Sequence, residues 1–226
     1  MKYSIIVLPF LLCGTHSIKG QNDVRNSDST SNPKLINFNP ASFSNKFSLN
    51  VTPVLRIHSG DTVRTETIDA FGRDKNGVKR QSGGNPLTGP FYIEGAKTGD
   101  VLAITLTKIS LNRPYAYTSE TFTSRSMPDS IIKQFKKSHI VKWKLDIENE
   151  FASPDSGYNK YEHLKDFTVP LKYFLGCIGV APLNKRNEIL SFFQGDFGGN
   201  LDYNRISQSA IVYLPSSNYF FQIFCL

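Results

Sequence analysis

The sequence predicts a mainly β protein, and three observations carry that expectation. VKWKLDIEN (141–149) alternates apolar and polar residues strictly, as a half-exposed strand does. A strand–turn–strand pattern occurs twice, over 54–69 and over 90–110. Twelve prolines, sixteen glycines and 12% aromatic residues accompany a single helix-like segment.

Taken in order, the elements follow from local chemistry. Met1 and Lys2 precede an apolar run, Ile5 to Leu12, and then small and polar residues up to Gly20. That is the pattern of a cleaved secretory signal peptide over 1–20, and the run is too short to cross a bilayer. Secretion or export to a periplasm is the implied localisation. Lipid anchoring through Cys13 is less favoured, because Leu12 is bulky where a small residue should precede the cysteine. Residues 21–50 are rich in Asn, Ser and Asp and read as a polar linker.

Val54–His58 is a short run ending in the turn Ser59-Gly60-Asp61, after which Val63, Thr65, Thr67 and Asp69 share one face. SGGNPLTGP (82–90) concentrates turn chemistry through Asn-Pro and Gly-Pro. It is followed by the strand PFYIEGA, a turn at Lys97–Asp100, and VLAITLTKI with Leu102, Ile104 and Leu106 on one face. In 127–138, Pro128 near the start, Asp129 in the first turn and the stripe Ile131, Ile132, Phe135 predict a helix. In the alternating strand that follows, Val141, Trp143, Leu145 and Ile147 point inward.

Charge and cysteine usage narrow the function classes. The formal net charge is +7, and loss of Lys2 and Lys19 with the leader would lower it to +5. The basic residues are scattered apart from KQFKK (133–137), which argues against a nucleic-acid surface. After leader removal no segment is apolar enough for a membrane. Cys177 and Cys225 do not form a disulfide framework, and Cys177 in FLGCIGVAP reads as a small buried hydrophobe.

The sequence has no GxSxG elbow, P-loop, dinucleotide fingerprint, HExxH or CxxC. His16 belongs to the leader, and His58, His139 and His163 are far apart in sequence. The acids are more suggestive. Asp69 ends the strand in TETIDAFG, and Gly198-Gly199 leads to Asn200 and Asp202 in QGDFGGNLDYN. Asp69 and Asp202 could meet as metal ligands, or GDFGGN could be a tight turn whose polar side chains bond their own backbone. Spacing alone favours the turn.

PVLRIHSGDTVRTETIDAFGRD, GVKRQSGGNPLTGPFYIEGAKTGDVL, FTVPL, LGCIGVAP, FGGNLDYN and IVYLP, in that order from Pro53 to Pro215, resemble the acetamidase/formamidase family. The resemblance implies a jelly-roll-like β-sandwich with a smaller β-barrel-like part and few short helices. It also implies hydrolysis of small linear amides such as formamide or acetamide, a divalent metal, commonly zinc, and homo-oligomers. Carried over residue by residue, it makes Asp69 and Asp202 metal ligands and puts Asn85, Thr88, Gly89 and Asn200 at the substrate. Glu66 and Asp196 are the candidates for the general base. The alternative function is an exported β-sandwich that binds a small ligand or carbohydrate without chemistry.

One departure concerns the end of the match. The family continues past its IVYLP-like strand into a GDGH-like motif that supplies a histidine and further acids. Here SSNYFFQIFCL (216–226) follows instead. This tail reads as unmatched, in the manner of an out-of-frame or truncated product, and leaves 51–215 as an incomplete domain.

Overall fold

The computed structural model describes residues 2–10, 32–119, 127–134, 140–155, 166–182, 188–215 and 222–225. It divides into a larger unit, Met1–Ser110 with Tyr173–Leu226, and a smaller one, Leu111–Lys172. The larger unit begins with β1 (Lys2–Phe10), β2 (Leu35–Asn37), β3 (Lys46–Ser48), β4 (Leu55–Ile57), β5 (Thr62–Glu66), β6 (Thr88–Ile93) and β7 (Val101–Ser110). The smaller unit holds β8 (Tyr115–Ser119), α1 (Asp129–Ile132), β9 (Ile140–Asp146), β10 (Phe151–Pro154) and β11 (Val169–Pro170). The chain then returns with β12 (Cys177–Val180), β13 (Glu188–Leu190), β14 (Gln194–Gly195), β15 (Gly198–Asn200), β16 (Ile211–Pro215) and β17 (Gln222–Cys225).

Two sheets share the core of the larger unit. One is five-stranded in the order β16-β7-β1-β5-β2, and the other six-stranded in the order β14-β15-β12-β17-β6-β4. Val63, Leu102, Ile104 and Leu106 from the first pack in one cluster with Phe91, Ile178, Ile223 and Phe224 from the second. This is a sandwich, and it exists because β5 and β7 turn Val63 and Thr65, and Leu102, Ile104 and Leu106, to the core at alternate positions. The mainly β expectation therefore holds.

The smaller unit is an open four-stranded sheet, β11-β10-β9-β8, rather than a closed barrel. Its alternation gives a buried Leu145, but Ile147 lies past the end of β9 and is exposed. The expected helix shrinks to the four residues of α1, none of them buried. Ile131 is exposed, and Phe135 of the expected stripe lies outside the described residues.

The strands also reach beyond 51–215. Within the stretch read as a linker, β2 pairs with β5 in parallel. The β3 residue Phe47 is fully buried, and Ile36, Phe38 and Leu49 pack against the core from the same stretch. The tail read as unmatched supplies β17, central in the six-stranded sheet between β12 and β6 and buried at all four residues. Its lack of charges follows from burial on both faces. Within the stretch read as a leader, Lys2–Phe10 forms β1, paired with both β5 and β7. Among the described residues no helix is long and apolar enough to cross a membrane.

Phe47 sits where β12 lacks a side chain. A Cβ on Gly179 would lie 2.8 Å from the Phe47 ring, 2.8 Å from the Gly199 nitrogen and 2.9 Å from the Phe197 carbonyl oxygen. The ring is flanked by Phe197 and Phe224 at centroid distances of 5.2 and 5.3 Å. Phe47→Ala should cost about 3–5 kcal/mol through the cavity it leaves. Gly179→Ala should cost about 1–3 kcal/mol through overpacking. Urea unfolding checks both, and a loss below about 0.5 kcal/mol for either, the level of an ordinary surface substitution, would contradict this account of the core.

Candidate functional site

The loop Ser82–Leu87 is the hub of the polar groups in the larger unit. The Gly84 and Asn85 amides both donate to the Ala70 carbonyl, at 3.0 and 3.3 Å. This joins the loop to the turn that follows Asp69. On the other side, Asn85 Nδ2 donates to Asn200 Oδ1 at 3.2 Å, and Asn200 Nδ2 donates to Asp202 Oδ2 at 3.4 Å. Asn85 and Asp202 both adopt left-handed backbone conformations, with φ of 50° and 45°. Asn and Asp tolerate this region better than other residues with a side chain.

The loop is held from beneath by residues that no motif announced. Asn45 Nδ2 donates to the carbonyls of Gly83 and Gly84 at 3.1 and 2.8 Å. The buried Ser191 hydroxyl donates to the Gly84 carbonyl at 2.7 Å, and Gln81 Nε2 donates to Asn45 Oδ1 at 2.9 Å. The Phe192 ring stands beside Gly84, 3.3 Å from where a Cβ would be, and is itself 55% exposed. Asn45 lies in the apparent linker and Ser191 in a stretch without recognisable pattern, so only the fold brings them here.

The remaining loop residues are structural neighbours. The buried Thr88 hydroxyl donates to the Glu66 carbonyl at 3.1 Å. Gly89, with φ of 110° and a cis bond to Pro90, passes so close to β17 that a Cβ would lie 2.7 Å from the Ile223 carbonyl oxygen. No other residue fits that approach.

Of the acids, Asp202 joins the asparagine pair, while its own amide donates to the Gly176 carbonyl at 2.9 Å. Asp69 serves its own turn, its Oδ1 accepting the amides of Phe71 and Arg73 at 3.0 and 2.8 Å. Glu66 pairs with Lys75 at 3.2 Å, beside a cleft of about 400 Å³ that Asp74, Arg80, Asn39 and Phe43 also line. Asp196 is exposed on the turn between β14 and β15.

For the metal expected at Asp69 and Asp202, the described side chains offer a poor fit. The hydrogen bonds place the two acids in different local networks, and no three His, Cys, Asp or Glu among the described residues come together to hold an ion. His58 Nδ1 faces Asp61 at 3.9 Å, where Asp61 is already engaged by the amides of Lys34 and His58. His16, His139 and His163 lie outside the described residues. Burial, then the neighbouring Cys225 thiol and Asp202, push the Cys177 thiol far up, which removes it as a nucleophile.

Fold and loop cluster together define an all-β sandwich whose candidate site is a rigid loop lined by carboxamides and one carboxylate. The chain belongs to the acetamidase/formamidase family, whose model matches residues 31–190. It is 28% identical over 175 residues to a Schizosaccharomyces pombe protein whose name assigns it as a formamidase, covering 73% of this chain and 40% of that one. It superposes on the Bacillus halodurans acetamidase with a TM-score of 0.64 and 25% identity, over 84% of this chain and 60% of that one. The Yersinia enterocolitica acetamidase shares the fold, with a TM-score of 0.64, 24% identity, and 87% and 60% coverage. The chain thus spans less than two thirds of the length of each of these relatives.

The cleft acids give a test in pH. Partial burial pushes the Asp74 carboxyl up, but Arg80 at 2.7 Å and the amides of Val78 and Asn76 outweigh it and hold the group below its ordinary 3.8. A depressed carboxyl stabilises the fold above its unfolded value and loses that contribution as pH falls through the folded one. Thermal melts of the native protein and Asp74→Asn should therefore differ above about pH 5 and converge towards pH 2. A difference that grows on acidification would contradict the assignment.

Proposed function

We propose that this protein hydrolyses the carbon–nitrogen bond of small linear amides such as formamide or acetamide, releasing ammonia and a carboxylate. The observation that carries the proposal is the hydrogen-bonded chain Asn85–Asn200–Asp202, set within a family match over 31–190. The named activities of the relatives support the same chemistry.

A primary amide presents two N–H donors and a carbonyl acceptor. Asp202 accepts only, whereas the carboxamides of Asn85 and Asn200 both donate and accept. Together they can orient the substrate with its nitrogen toward Asp202 and its oxygen toward a carboxamide N–H. Because Asn45 and Ser191 already hold the loop, little reorganisation accompanies binding. The exposed Phe192 ring beside Gly84 offers apolar surface to the alkyl end.

In the reaction the water oxygen bonds to the carbonyl carbon and the C–N bond breaks. The nitrogen leaves as ammonia, carrying a proton from that water, and the acid product ionises. A general base takes the water proton first and returns one to nitrogen. Glu66 and Asp196 are our two candidates for that base.

Ammonia release from formamide and acetamide by the purified protein tests the proposal. Turnover is expected, with Asn200→Ala lowering kcat by about 10²–10³-fold if its amide stabilises the developing oxyanion. A folded protein that releases no ammonia from either amide would overturn it. Thermal stabilisation by acetamide without turnover would point instead to a binding protein.

A further inference from the structure

The strand β1 sets up a conflict that the amidase proposal does not touch. As a sequence, Lys2–Phe10 lies within the segment that reads as an export signal. In the fold it is the middle strand of five, with β5 on one side and β7 on the other. Lys2 to Ile6 pair with Glu66 to Thr62. Lys2 to Phe10 pair with Ser110 to Val101, with one register shift between Ser4 and Ile5.

Register shows how closely the segment matches its slot. Tyr3 and Ile5 stand opposite Thr65 and Val63 on β5. Tyr3, Ile5, Val7 and Pro9 stand opposite Ile109, Leu106, Ile104 and Leu102 on β7. All six of those partners are buried. Pro9, which has no N–H to give, falls beyond Ile6, where β1 has a neighbour on one side only.

Without this strand the sheet would fall into two ribbons, β16 with β7 and β5 with β2, each marginal alone. β5 and β7 would face each other across a gap one strand wide, each with an open row of N–H and C=O groups. Such paired edges take up an apolar strand readily.

We propose that β5 and β7 form a strand-accepting slot whose occupant is the chain's own Lys2–Phe10 segment, and that a chain cut behind that segment binds it in trans. Cleavage after Gly20 would then be a conformational step as well as a processing step, because it turns a closed sheet into one that accepts a strand.

Hydrogen exchange on the intact chain gives the first test, since it needs no variant to fold. Amides of Lys2–Phe10 should exchange orders of magnitude more slowly than an unpaired segment. Exchange at the free-chain rate would overturn the proposal. The second test uses a chain starting at Gln21. It should lose protection in Thr62–Glu66 and Val101–Ser110 and melt at a lower temperature. A peptide of residues 2–10 carrying a lysine tail for solubility should restore both, and a scrambled version should not. Unchanged protection in the shortened chain, or equal rescue by both peptides, would overturn the proposal.

Discussion

The fit of the Phe47 ring over Gly179 is the contact on which the candidate site depends. With no Cβ on Gly179, β12 and β15 approach closely enough for the ring to lie against Gly179, Phe197 and Phe224. The ring fixes β3 against the core, and two residues earlier Asn45 reaches up to the carbonyls of Gly83 and Gly84. At the far end of β15, Asn200 meets Asn85 from the opposite direction. Both ends of the Asn85–Asn200 bond are thus anchored in one piece of core packing. A disturbance there would reach the loop through rigid elements rather than through solvent.

Four aspartates of the larger unit hold turns. Asp61 accepts the amides of Lys34 and His58, Asp69 those of Phe71 and Arg73, Asp74 those of Asn76 and Val78, and Asp100 that of Lys97. Loops between short strands expose backbone N–H groups with no ladder partner, and a short acidic side chain satisfies two of them at once. Asp202 differs because its carboxylate is turned toward the Asn200 carboxamide.

The strands with one wet face were legible in the sequence, because alternation reports burial directly: Val63 and Thr65 in β5, and Leu102, Ile104 and Leu106 in β7, are all buried. Asn85, Asn200 and Asp202 came together through the family resemblance, since spacing alone favoured turns at both places. Asn45, Gln81 and Ser191 were not legible. Each is a lone polar residue whose partner lies far along the chain, 107 positions away for Ser191 and Gly84, and no local pattern encodes such a pairing. Asp69 shows how one position carries two readings. The same strand-end position suits a metal ligand and a turn pin, and only the hydrogen bonds to Phe71 and Arg73 separate the two.

β1 and β17 show where pattern reading meets a physical degeneracy. A strand covered on both faces, as β17 is, carries no alternation and few charges. An export signal and a tail without counterpart can have the same composition over the same length. QIFC is nevertheless buried throughout and hydrogen-bonded to β12 and β6. KYSIIVLPF runs in register with β5 and β7. What distinguishes a strand from a merely apolar run is the supply of unpaired edges on both sides, a property of the neighbours rather than of the segment. β5, β7, β12 and β6 provide those edges, and composition read one segment at a time could not register them.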